Sequence, residues 1–64
     1  MNAHHYTYRV IWSAEDGEYA GLCAEFPSLS WLEQTQEGAF AGIRRLVADC
    51  IEDMQANDDM PPEP

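Results

Sequence analysis

The 64-residue chain reads as an α+β domain: a small antiparallel sheet of three strands, open to a fourth from the tail, with one long helix packed on one face. Three features lead there. Residues in the first half alternate at period two, an Asp16-Gly17 step separates two such runs, and apolar residues in the second half recur at three- and four-residue steps. The length allows one small domain, spanning residues 1–64.

Residues Met1 to His5 carry no pattern. A first strand is predicted over 6–13, where Tyr6, Tyr8, Val10 and Trp12 share one face and Thr7, Arg9, Ile11 and Ser13 the other. β-branched and aromatic residues dominate it. Asp16-Gly17 supplies the positive φ of a tight reversal. A second strand follows over 18–25, antiparallel to the first. Its small residues Ala20, Gly21 and Ala24 suit close packing from above. Pro27 cannot donate to a ladder and ends the pairing, leaving a short third strand over 30–33. Thr35 is placed as a helix N-cap, with Glu37 favoured by the dipole in the first turn. The helix is expected over 36–55. Ala39, Phe40, Ile43, Leu46, Val47, Cys50, Ile51 and Met54 define its apolar stripe, and Gly38, Gly42, Arg45, Asp49 and Glu52 project from the opposite side. Asn57 suits the left-handed cap, and residues 56–64 form an extended, Pro-rich tail. Trp12 and Trp31 are expected in the core, with a subunit interface as the alternative.

Charge narrows the function classes. Twelve acids face three arginines, lysine is absent, and the net charge is -9. Nucleic-acid binding rests on Lys and Arg neutralising phosphates, so direct binding is disfavoured, as is attraction to an anionic membrane. A basic protein partner is the natural counterpart of such a surface. The apolar runs are too short for a membrane span or a signal-peptide core, and the cytoplasm is the expected address. Cys23 and Cys50 are too few for a disulfide framework and are expected as free, packed thiols. With no metal or disulfide expected in so short a chain, burial against a second copy is the expected supplement, giving a dimer or larger.

Several segments, in order, resemble the N-terminal domain of HicB-type antitoxins. They are the hairpin turn Glu15-Asp16-Gly17-Glu18-Tyr19, then Phe26-Pro27-Ser28-Leu29, then Thr35-Gln36-Glu37-Gly38-Ala39 opening the helix, and finally Met60-Pro61-Pro62-Glu63-Pro64. The resemblance covers Tyr6 to Pro64. It implies a partial ribonuclease-H-like fold that binds and silences a small, basic, mRNA-cleaving toxin of HicA type in a bacterial toxin–antitoxin pair. It also implies a DNA-binding domain further on. The 64 residues contain no such segment, so operator binding is not expected. Where a typical member has a second acid after Glu37, this chain has Gly38.

No catalytic residue, metal site or cofactor is assigned from the sequence. Ribonuclease-H chemistry needs carboxylates converging on two metal ions, one of them from the first strand, and residues 6–13 contain no acid. His4 and His5 lie in an unpatterned N-terminus and read as solvated tail. The candidate toxin-binding residues are Glu15, Asp16, Glu18 and Glu25, whose alternative reading is a solvated hairpin end. Gly38, Gly42 and Met60 are candidate contacts with another subunit or partner: the two glycines because the apolar stripe does not explain them, Met60 because extended tails pair with exposed sheet edges. Two rival readings stand beside the antitoxin: an oligomerisation partner of longer HicB paralogues, and a degenerate nuclease.

Overall fold

A computed structural model describes residues 3–64. After a 3-10 turn over Ala3–His5, strand β1 (Tyr8–Ser13), β2 (Glu18–Cys23) and β3 (Ser30–Glu33) form one antiparallel sheet in the order β1-β2-β3. Helix α1 (Gln36–Ala56) follows. The α+β architecture and the β-β-β-α order are those expected. Strands β1 and β2 are each shorter than expected by two residues. At β1 the missing pair is Tyr6 and Thr7, and at β2 it is Ala24 and Glu25, so both strands lose length at the end away from their turn.

The turn holds its reversal as anticipated. Gly17 has φ 64°, its N–H donates to the Ser13 carbonyl at 2.9 Å, and the Ser13 hydroxyl donates to the Asp16 carboxylate at 2.8 Å. The strand register sets Val10 and Trp31 on either side of Gly21. A Cβ on Gly21 would stand 2.3 Å from the Ala39 carbonyl oxygen and 2.9 Å from Ile43 Cγ2. The helix therefore rests directly on the backbone of β2, and Gly21 is what lets it approach.

Thr35 is the N-cap, its hydroxyl accepting from the Gly38 N–H at 3.0 Å. Ala39, Ile43, Val47 and Ile51, spaced by four residues, are the buried stripe of α1. Ile43, Val47 and Ile51 form one cluster with Tyr6 and Cys23, and Tyr8, Phe26, Leu29 and Leu46 pack around it. Tyr6 and Phe26 meet edge to face at 5.6 Å between ring centroids. Both cysteines are free thiols, Cys23 buried and Cys50 partly so.

Five points differ from the sequence reading. Trp12 and Trp31 are not core residues: they are 57% and 39% exposed. Trp12 lies near the turn, past the area the helix covers, and packs edge to face on Tyr19 at 5.1 Å. Phe40, placed in the apolar stripe, is exposed. It leans on Tyr8 at 5.9 Å and carries the Arg44 guanidinium over its ring at 5.4 Å. Asn57 does not take the left-handed conformation: its φ is -102°, and Asp58 takes the positive value of 59° instead. The tail forms no fourth strand. Pro61 and Pro62 are half-buried, and the Tyr6 hydroxyl donates to the Pro62 carbonyl. His4 and His5 are exposed, but His4 contacts the Arg44 guanidinium, so the N-terminal segment is not simply solvated tail.

Candidate functional site

The four acids singled out in the sequence do not form one site. Glu15 and Asp16 lie in the β1–β2 turn and Glu18 opens β2. Glu25 lies beyond the other end of the same hairpin, a strand length of six residues away, or about 20 Å. Its carboxylate accepts the Thr7 N–H at 2.9 Å, the Thr7 hydroxyl at 3.2 Å and the Cys23 thiol at 3.5 Å. The Thr7 N–H bond, first among these, holds the Glu25 carboxyl below its ordinary range. Glu25 thus clamps the open end of the hairpin, where the Ala24 N–H also donates to the Thr7 carbonyl at 2.9 Å. Burial pushes the neighbouring Cys23 thiol up, which keeps it protonated and unreactive near neutral pH.

What the turn end does bring together is three carboxylates and an aromatic pair. Trp12 and Tyr19 are directly opposite each other in the register, and the next pair towards the turn is Ser13 and Glu18. Both aromatics point to the helix side of the sheet, Glu18 to the far side, and Glu15 and Asp16 cap the end. A solvated hairpin end needs no exposed tryptophan. The sequence placed Trp12 in a strand but could not show that the helix starts on the β3 side and leaves it bare.

Gly38 and Gly42 have partners within the chain. A Cβ on Gly42 would stand 2.0 Å from Trp31 Cδ1 and 2.1 Å from its Nε1, so the indole lies flat against the helix backbone there. A Cβ on Gly38 would meet the Thr35 hydroxyl oxygen at 2.9 Å and Glu33 Cβ at 3.3 Å. The side of the helix opposite the stripe is thus partly covered by β3, and close packing explains glycine at 42. Trp31, Glu33, Gly38, Gly42, Arg45 and Asp49 line a shallow groove of about 340 Å³ along this edge, with the Trp31 indole N–H donating to Glu33 at 3.4 Å. Met60 is 87% exposed in the tail.

The far face of the sheet is the surface that sequence reasoning missed. Ile11, Ala20 and Leu32 stand in one row across the three strands, with Leu22 on the next row of β2. Period-two alternation implied this second face. Only the structure shows that α1 covers the other one and leaves this row open. Among the described residues no three His, Cys, Asp or Glu side chains gather as a metal-binding group, and no helix is long and apolar enough to cross a membrane. No protein-family model, curated protein or solved structure matches the chain.

Proposed function

We propose that this protein is a HicB-like antitoxin, or a stand-alone relative, that captures a small basic mRNA-cleaving toxin of HicA type and covers its RNA-binding face. The observation that carries this reading is the turn end, where Glu15 and Asp16 cap the hairpin beside the exposed Trp12, which packs on the half-buried Tyr19, with Glu18 on the other face of the same end. Carboxylates and an open indole face are what an arginine-rich surface binds, by ion pairing and by cation–π contact. The net charge of -9 adds long-range steering towards such a partner. The β-β-β-α order fits the resemblance, and we read the domain as a partial ribonuclease-H-like fold that acts by occlusion without chemistry of its own.

The test is co-purification with the short basic protein encoded beside it, followed by an RNA-cleavage assay with and without this chain. A complex that silences cleavage is expected. Reversing Glu15, Asp16 and Glu18 to Lys should slow association by tenfold or more at low salt, on the order of the steering effect. Trp12→Ala should speed dissociation instead. Unchanged affinity in both variants would remove the turn from the reading. One observation favours a second reading, an oligomerisation partner of longer HicB paralogues. The open sheet face carries exposed Ile11 and Leu32, which suits stacking between related chains.

A further inference from the structure

We propose that β1 pairs antiparallel, along its outer edge, with β1 of a second copy, continuing the sheet across a two-fold axis. The sheet order gives β1 a strand neighbour on one side only. Proteins usually blunt such an edge with a charge, a proline, a bulge or short length. β3, the other edge, is four residues long and ends on Glu33. β1 is six residues long, pairs with β2 without a bulge, and contains no proline, glycine or acid in a chain with twelve acids. Its backbone is aimed outward at defined places. The Ala24 N–H donates to the Thr7 carbonyl, so Arg9, Ile11 and Ser13 also turn to β2, while Val10 and Trp12 turn their N–H and C=O groups away from it.

The pleat selects the register. Residues opposite each other share a face, so a two-fold axis normal to the sheet must pass through the position of one residue. With the axis at Ile11, Val10 stands opposite Trp12 of the other copy, twice. Those are the residues whose amides face out, and about four main-chain hydrogen bonds result. The exposed Ile11 meets its own counterpart, and the exposed Trp12 gains an apolar neighbour in Val10. Reversal also offsets the helices. Phe40 of α1 packs on Tyr8 towards the N-terminal end of β1, while Trp12 at the other end is bare, so the bare end of one copy lies beside the covered end of its partner.

Charge selects a second copy as the occupant. Arg9 marks the N-terminal end of β1, with Arg44 held over the Phe40 ring nearby, and Glu15 and Asp16 mark the turn end. The same register sets Arg9 opposite Ser13, whose hydroxyl holds the Asp16 carboxylate at 2.8 Å. Arg9 of each copy therefore meets Asp16 of the other. Glu25, the acid at the N-terminal end, is bound to the Thr7 N–H, which points towards β2 and away from this edge. Main-chain bonds rather than area carry an added strand, and a contact this short gives a weak, concentration-dependent dimer. The inference does not rest on the toxin reading, and Trp12 serves either the second copy or a basic partner at any one time.

Sedimentation equilibrium of the full chain in about 0.15 M sodium chloride, from about 10 μM to about 1 mM, reads the association directly. Val10→Pro removes an outward N–H and no bond of the β1–β2 ladder. It should stay folded by circular dichroism and raise the midpoint by about tenfold or more. Arg9→Glu and Asp16→Arg should each weaken self-association. An equimolar mixture of these two variants should associate more tightly than either alone, because the mixed pair joins opposite charges at both contacts. A folding defect would not produce that recovery. In the unaltered chain, the Val10 and Trp12 amides should exchange with solvent more slowly at about 1 mM than at about 10 μM. A chain that stays monomeric at about 1 mM overturns the proposal. So does a dimer that is indifferent to Val10→Pro and shows no gain on mixing, or one that leaves exchange at Val10 and Trp12 unchanged, since either result moves the contact to another surface.

Discussion

Gly42 shows how one side chain overrides helix propensity. Replacing an exposed helical glycine by alanine ordinarily stabilises by about 1 kcal/mol. Here the new methyl would stand 2.0 Å from Trp31 Cδ1, and the indole would have to swing away. Gly42→Ala should therefore destabilise the domain by about 1–2 kcal/mol in urea unfolding. In a Trp31→Ala background the same change should stabilise it by about 1 kcal/mol, and that reversal of sign isolates the contact. Tyr6 offers a second test at this scale. Burial first, and the Glu25 charge second, hold its hydroxyl above the ordinary phenol range; burial raises Tyr8 as well. With the folded values raised, the unfolded chain gives up these protons first, from about pH 10. Stability is full below that pH and is lost as pH climbs through the folded values. Urea midpoints measured between about pH 9 and about pH 11.5 should fall with pH, and the fall should be shallower in Tyr6→Phe.

At the scale of elements, α1 begins well and ends badly. Thr35 caps its N-terminus and Glu37 sits in the first turn, but the last turn carries no basic residue and contains Asp53. A negative charge beside the C-terminal carbonyls opposes the dipole. Asp53→Lys should raise stability by about 0.3–1 kcal/mol, read as a higher thermal midpoint, with the gain shrinking in high salt. The helix was legible in the sequence because cap, stripe and stop are local signals: Thr35, the four-residue spacing from Ala39 to Ile51, and the residues after Ala56. Strands β1 and β2 were legible through alternation and Asp16-Gly17. Information that depends on the third dimension was not. Glu25 joined the acidic cluster on paper because it is near in sequence, but a hairpin sends residues 16 and 25 to opposite ends. Trp31 and Gly42 look unrelated until the register places β3 beside the helix. Trp12 looks like core because nothing local tells where a helix crosses a sheet.

For the molecule as a whole, the excess of acids has two effects of opposite sign. It steers basic partners inward and it strains the compact state through self-repulsion. Screening relieves the second, so raising sodium chloride from about 0.02 M to about 0.5 M should raise the thermal midpoint of the free chain. The same salt should slow capture of a basic partner. A midpoint indifferent to salt would mean that the acids stand too far apart for their mutual repulsion to weigh on stability.

The clasp between the Tyr6 hydroxyl and the Pro62 carbonyl joins residues 56 positions apart, whereas the strands pair only with their neighbours in sequence. Loop closure favours short loops, so the hairpin and the β2–β3 pairing can form early, and the clasp closes last. A contact made after the barrier leaves the folding rate alone and governs how fast the native state opens. Stopped-flow traces of Tyr6→Phe should accordingly show an unchanged refolding arm and a faster unfolding arm. The C-terminal tail, which adds no strand, would then act as a latch that sets the lifetime of the folded chain.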